Sequence, residues 1–247
     1  MRTPDIVFTA AELASRIDHT VLDPAAVRAD LERACALALK YHFRAVYTNP
    51  YWCAPVAEML AGSGIRAGIS AAYPLGALPT KDKVREVMSI VEELQGKPCA
   101  VDMVANVGLL KERDFQNYTR DIAAVVKALD GIELKVIIES SLLNDEEIGI
   151  ACRCAAEAGV NFAKTSTGRN GPPRLQDIRL MRANLPPEIG IKFSGFGTHN
   201  APELAAFALA CGANLLGSPQ GDRIVDALCS ENEYGNLFID WKPSPKL

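Results

Sequence analysis

Histidine is scarce in this chain: three in 247 residues, at positions 19, 42 and 199. They lie far apart and lack the spacing that ligates a metal, which speaks against a metal-dependent mechanism. Cysteine is odd in number, seven, and the one close pair, Cys152 and Cys154, has a single residue between its members. A zinc knuckle or a thioredoxin-type motif needs two. Cys35, Cys152 and Cys211 fall on the apolar faces of helical patterns and read as small buried hydrophobes. No apolar run reaches the ~18–20 residues that cross a bilayer, and the first residues lack a signal-peptide pattern. The expectation is a cytoplasmic protein without a membrane partner. A net charge of −4 gives no electrostatic ground for binding nucleic acid. Also missing is a G-x-G-x-x-G after the first strand-like run, which counts against an open dinucleotide-binding sheet.

What is present is a composition with a sizeable core, 49% hydrophobic and 23% charged. The length suits one large domain over residues 1–247, and no linker, low-complexity stretch or composition break divides it. After a short helical stretch at 10–16, the run IDHTVLD reads as a brief first strand. Asp23-Pro24 then reads as the N-cap and first residue of a helix, whose apolar face is Val27, Leu31, Ala34, Cys35 and Ala38. Strands follow at 43–48, 65–72, 99–104, 134–138, 161–164, 190–193 and 214–216, with helices at 56–61, 80–94, 114–129 and 175–183 between them. Asn144 with Glu147 signals a capping box for a helix that Gly159 ends, and Asn200 with Glu203 signals another, ended by Gly212. Eight strands alternating with helices in this length predict an α/β fold, the closed (β/α)8 TIM barrel.

In such a barrel the reactive side chains come from the C-terminal ends of the strands. Here those ends carry Asp18 and Thr20, Asn49, Asp102 and Asn106, Glu139, Lys164 to Gly168, Lys192 to Gly195, and Gly217-Ser218. Lys164 opens the stretch KTSTG, and Lys192 ends the next strand in IKFSG. A lysine amine attacks a carbonyl only when desolvation or a neighbour lowers its pKa. Lys192 is a suitable neighbour for Lys164, because a nearby cation disfavours a second one. Asp102 sits between Val101 and Met103 in an otherwise apolar strand, so its carboxylate needs a partner such as Lys192. Lys164 thus suits attack on a carbonyl, and an ion pair of Asp102 with Lys192 would also serve catalysis.

The segments IDHTVLD, YTNP, YPLGALPTKDK, VDMVANVG, LKVIIES, FAKTSTG, IKFSG and GANLLGSP stand in an order that resembles the deoxyribose-phosphate aldolases, the DeoC-type class I aldolases, over almost the whole chain. The resemblance implies a lyase that joins acetaldehyde to glyceraldehyde 3-phosphate reversibly, with the Schiff base at Lys164, Asp102 and Lys192 as proton-relay partners, and no metal or organic cofactor. It implies a substrate-binding set of Asp18, Thr20, Asn106, Thr167, Gly168, Arg169, Ser194, Gly195, Gly217 and Ser218 for a small aldehyde or sugar phosphate. It also suggests a homodimer or homotetramer. Several positions depart from the family's pattern. Ser194-Gly195-Phe196-Gly197-Thr198 stands where Ser-Gly-Gly-hydrophobe-Arg is usual, and Gly217-Ser218-Pro219 where Gly-Thr-Ser is usual. Tyr47 takes a position where cysteine is frequent, and Ala100 one where glutamate is frequent. Phe196 replaces a glycine expected to approach phosphate, and Pro219 removes an amide donor. Weaker phosphate recognition is therefore expected, with Arg169 restoring part of it. The alternatives are a relative acting on an unphosphorylated aldehyde and a catalytically silent barrel that binds a sugar phosphate.

Overall fold

Short strands in which every second residue is apolar and outward-facing, separated by amphipathic helices, have one way to bury all their apolar faces at once. The strands close on themselves and the helices cover the outside. The structure, a computed structural model, describes residues 8–229 and has this arrangement. The strands are β1 (Ile17–Val21), β2 (Ala45–Thr48), β3 (Arg66–Ala71), β4 (Cys99–Val104), β5 (Leu134–Ile137), β6 (Phe162–Lys164), β7 (Gly190–Ser194) and β8 (Leu215–Ser218). They pair in parallel in chain order, and β8 returns to β1 with Asp18 opposite Gly217. The helices are α1 (Ala10–Ala14), α2 (Arg28–Tyr41), α3 (Cys53–Met59), α4 (Thr80–Glu93), α5 (Val107–Lys111), α6 (Phe115–Leu129), α7 (Asp145–Ala158), α8 (Leu175–Asn184), α9 (Ala201–Ala210) and α10 (Gly221–Cys229). The expected barrel is present; the ends of the expected domain, 1–7 and 230–247, lie outside the described residues.

The strand period of two divides the molecule into two interiors. Outward residues such as Val46, Ile69, Val101, Met103, Val136, Ile191 and Phe193 join the helices in one continuous apolar core. Inward residues are instead small or ionisable: Ala45, Tyr47 and Ala100 form a separate cluster, beside buried Asp18, Asp102, Lys135 and Lys192. The parallel register sets Lys164 opposite Lys192 and Asp102 opposite Lys135.

Several expected boundaries move. The Asp23-Pro24 pair does not open α2, because the Asp23 carboxylate accepts the N–H of Ala25 at 2.8 Å in a local turn. The helix starts at Arg28, and the Val27 N–H donates to Asp30 at 2.8 Å. Asn144 and Glu147 form the capping box anticipated for α7, and Gly159 ends it in the left-handed region at φ 82°. Asn200 precedes α9 as expected, but with φ 49° its side chain makes no cap. Cys35 and Cys152 are buried as expected, whereas Cys211 is only half-buried at the end of α9. Helix α10 was not anticipated; it packs Ile224 and Val225 inward after β8.

Candidate active site

The strand register alone determines the centre of the site. Lys164 Nζ lies 2.6 Å from Asp102 Oδ2, and Lys192 Nζ lies 2.7 Å from the same oxygen. Lys192 also lies 2.7 Å from Asp18 Oδ2. Asp18, Asp102 and Lys192 are fully enclosed, while Lys164 keeps 3% of its surface, and that surface opens into a cavity of about 760 Å³ at the C-terminal mouth of the barrel.

Burial is the largest influence on Lys164 and pushes its pKa down; Lys192 adds to this and Asp102 opposes it, with a result of about 8. The sequence reading made Lys192 the main cause, and the structure corrects that order: desolvation of the ammonium comes first. Burial also works against the charge of Lys192, but Asp102 and Asp18 more than offset it and raise its pKa. Burial would keep both carboxyls neutral, yet the surrounding lysines hold Asp102 and Asp18 below the ordinary carboxylate range. At neutral pH the arrangement therefore supplies one amine ready to lose its proton beside a fixed ion pair.

The loop after β6 is tied down from three sides. Glu139, at the end of β5, accepts the Thr167 N–H at 3.0 Å and the Thr167 hydroxyl at 2.7 Å. Tyr73 donates its hydroxyl to the Thr167 carbonyl at 3.3 Å. From β7, Ser194 donates to the Ser166 carbonyl at 2.7 Å, and Thr165 donates to the Ser194 carbonyl at 2.9 Å. Gly168 and Gly195 meet so closely that a Cβ on Gly195 would stand 2.7 Å from the Gly168 nitrogen, and both have positive φ. Only glycine fits that crossing.

Of the expected binding residues, Thr20, Thr167, Gly168, Arg169, Ser194, Gly195 and Gly217 line the cavity with Lys164. Asp18 lies beneath it as a partner of Lys192. Asn106 precedes α5 and Ser218 is buried, its hydroxyl accepting the Gln220 N–H at 3.1 Å; neither is among the lining residues. Phe196 does not intrude into the cavity as its bulk suggested. Its ring stacks on Phe193 at 4.9 Å in the outer core, leaving Gly195 and Gly197 on the lining with Thr198 and Pro219. Arg169 reaches across the mouth, donating to the Leu22 carbonyl at 2.7 Å and to the Tyr73 hydroxyl at 3.4 Å.

Sequence reasoning gave Glu139 a strand end but no role, and it missed Lys135, His19 and Tyr73. The inward phase of β5 was the available signal for Lys135, since Leu134 and Val136 flank it as outward residues. His19 and Tyr73 carried no sequence signal, because their place on the cavity follows from the closure of β8 on β1 and from the loop after β3.

A family model described as DeoC/LacD family aldolase matches residues 13–204. The chain is 40% identical over 225 residues to deoxyribose-phosphate aldolase 1 of Bacillus licheniformis, covering 90% of this chain and 99% of that protein. It is 39% identical over 218 residues to the deoxyribose-phosphate aldolase of Clostridium novyi, covering 87% and 96%. A solved structure from Coccidioides immitis, provisionally assigned as a deoxyribose-phosphate aldolase, superposes with a TM-score of 0.83 at 30% identity, covering 91% of this chain and 88% of that one.

Proposed function

The chain belongs to the DeoC/LacD family of aldolases, and from that premise we infer that it is a class I aldolase, a lyase that cleaves 2-deoxyribose 5-phosphate to acetaldehyde and glyceraldehyde 3-phosphate and runs the reverse addition. The observation that carries the reading is Lys164, an amine of depressed pKa at the floor of the cavity and 2.6 Å from Asp102. The catalytic groups are Lys164, Asp102 and Lys192.

In the cleavage direction the neutral Lys164 amine adds to the C1 aldehyde, and loss of water leaves an iminium. Deprotonation of the C3 hydroxyl breaks the C2–C3 bond, whose electron pair moves into the enamine, and glyceraldehyde 3-phosphate departs. A proton returns to C2, water adds to the iminium, and acetaldehyde leaves with Lys164 free again. Asp102 and Lys192, with a water between them and the substrate, are suited to move these protons, because the carboxylate touches both amines. The inward site favours this chemistry over a silent binder, which has no use for a buried amine of lowered pKa.

Phosphate recognition falls to Arg169 and to the lining backbone of Gly168, Gly195, Gly197 and Gly217. With Phe196 turned away, the glycine turn keeps its close approach, and the remaining losses are the proline at 219 and the threonine at 198. Arg169→Ala is expected to lower kcat/KM for deoxyribose 5-phosphate by about 10-fold or more, the scale of a charged hydrogen bond, and to leave deoxyribose nearly unaffected. Equal losses on the two substrates would remove Arg169 from phosphate recognition.

The same reading places the enzyme in the cytoplasm as a homodimer or homotetramer acting on small molecules. Among the described residues no helix is long and apolar enough to cross a membrane. The deciding experiment is incubation with acetaldehyde and borohydride followed by peptide mass mapping. One reduced two-carbon adduct is expected on Lys164; an adduct on Lys192, or none, would sink the mechanism.

A further inference from the structure

Below Lys164 and the relay of Asp102 and Lys192 lies a layer of charge that the aldol steps do not call upon. Lys135 leaves β5 beside Asp102, is fully buried, and reaches neither the cavity nor solvent. Its ammonium stands 2.6 Å from the Tyr47 hydroxyl and 2.6 Å from Glu133 Oε1. Asp18 Oδ2 is 3.6 Å away and Asp102 Oδ1 3.7 Å away. Arg44 closes the layer below, pairing with both Glu133 and Asp18. Tyr47 fills the barrel centre over Gly68, and the face of its ring lies 3.9 Å from the Lys192 ammonium. A buried ammonium in such a place costs several kcal/mol unless it is well paired.

We infer that Lys135, held by Tyr47 and Glu133 beneath the relay, is a positioning residue that sets the proton count of the whole cluster and so makes Lys164 the amine that gives up its proton first. The inference deepens the Schiff-base reading of Lys164 and rests on it. In the cluster, the cations Arg44, Lys135, Lys164 and Lys192 face the carboxylates Asp18, Asp102 and Glu133. Four positive groups meet three negative ones, so electroneutrality is reached when one amine has released its proton. Arg44 stays protonated in any protein setting. Lys192 touches two carboxylates at 2.7 Å and lies over the Tyr47 ring. Lys135 touches Glu133 and has Asp18 and Asp102 within 4 Å. Lys164 shares Asp102 alone, and it is the one of the four on the cavity lining, where a proton can leave. Lys164 is therefore the surplus cation, but only while Lys135 keeps its charge.

The groups facing Lys135 from each strand packed against it make the sign of the effect definite. Asp18 comes from β1, Tyr47 from β2 and Asp102 from β4, while Glu133 precedes β5 and Arg44 precedes β2. Replacing Lys135 by a neutral side chain leaves three carboxylates with three cations, so Lys164 must stay protonated to balance them. Neutralising Glu133 does the reverse, leaving two carboxylates against four cations.

The test is the pH dependence of acetaldehyde–borohydride trapping at Lys164 in the wild type, Lys135→Met and Glu133→Gln, with unfolding midpoints measured alongside. For Lys135→Met the trapping midpoint is expected to move alkaline by about one pH unit, the scale of a close charge. For Glu133→Gln it is expected to move in the acid direction. A folded Lys135→Met whose midpoint stays at the wild-type value overturns the inference and leaves the Schiff-base reading standing. Should that variant not fold, Glu133→Gln decides alone, since its side chain is isosteric and partly exposed at 19%; an unchanged or alkaline midpoint there overturns the inference equally. If wild-type protein gives no adduct at Lys164, both fail together.

Discussion

Lys164 shows how far one side chain's chemistry depends on what surrounds it. With a pKa of about 8, roughly a tenth of the amine is neutral at pH 7, against about 0.04% for an ordinary lysine near ~10.4. That difference is worth roughly 3 kcal/mol between the two protonation states. Two neighbours act on it in opposite senses, and this gives a signed prediction. In Lys192→Met the trapping midpoint at Lys164 rises, because a cation that lowers it is gone, yet it stays below the ordinary lysine value because burial remains. In Asp102→Asn the midpoint falls, because the carboxylate that supports the ammonium is lost. Each variant should also lose about 10²-fold or more in kcat, the usual scale for lost acid–base help. Midpoints moving the same way in both would contradict the roles assigned to the pair.

At the scale of elements, the site is a loop held by its neighbours rather than by its own residues. The turn after β6 contains small polar side chains that could adopt several backbone courses, and Glu139 from the end of β5 selects one by accepting from both Thr167 groups. Glu139→Ala would leave two half-buried donors of Thr167 without their acceptor, at a cost of about 2 kcal/mol. For a domain of this size that lowers Tm by about 4–8 °C. Because the loop carries Lys164 at its start, kcat should fall by about 10-fold or more even at temperatures where the variant is fully folded; thermal melts and steady-state rates on one preparation check both. An intact kcat with a lowered Tm would confine Glu139 to stability. Much of this scale was legible in advance. The strand ends that gather the reactive groups followed from the alternation of strands and helices, whereas the start of α2 was not legible, because an aspartate before proline serves a turn as readily as a helix cap. Phe196 was misplaced for a related reason: bulk says nothing about direction, and the outer apolar core offered its ring a partner in Phe193.

For the whole molecule, charge buried in the barrel makes stability depend on pH in two separate windows. His19 is stacked on Phe43 at 5.3 Å with no partner for Nδ1, and burial, opposed by the smaller effect of Asp222, lowers its pKa to about 4. An unfolded histidine titrates near ~6.5, so between those values the unfolded chain binds more protons and acid favours unfolding. The unfolding free energy should therefore fall by up to roughly 3 kcal/mol as pH drops from about 6.5 to 4. Asp18, Asp102 and Glu133 are held below the ordinary carboxylate range despite burial, so their contribution is present above about pH 4 and is lost only below it. Chemical denaturation of wild type and His19→Leu across this range separates the windows: the variant should lack the slope above pH 4 and keep the one beneath. A wild-type curve flat from pH 6.5 to 4 would show that His19 is not held neutral.

The eightfold alternation, the strand ends that gather ionisable groups, and the two lysines and one aspartate that meet there were legible in the chain before any fold was known. Each of these is written in local periodicity and in residue types that an apolar strand rejects unless they have partners. Only the closed sheet decided which groups meet. Lys135 and Asp102 are neighbours through the β4–β5 register, Asp18 reaches Lys192 because β8 pairs with β1, and Tyr47 fits between them because Gly68, Ala45 and Ala100 leave room. The pKa of Lys164 belongs to the same class: it follows from burial first and neighbouring charge second. Burial is a property of the packed barrel, and no window of the chain contains it.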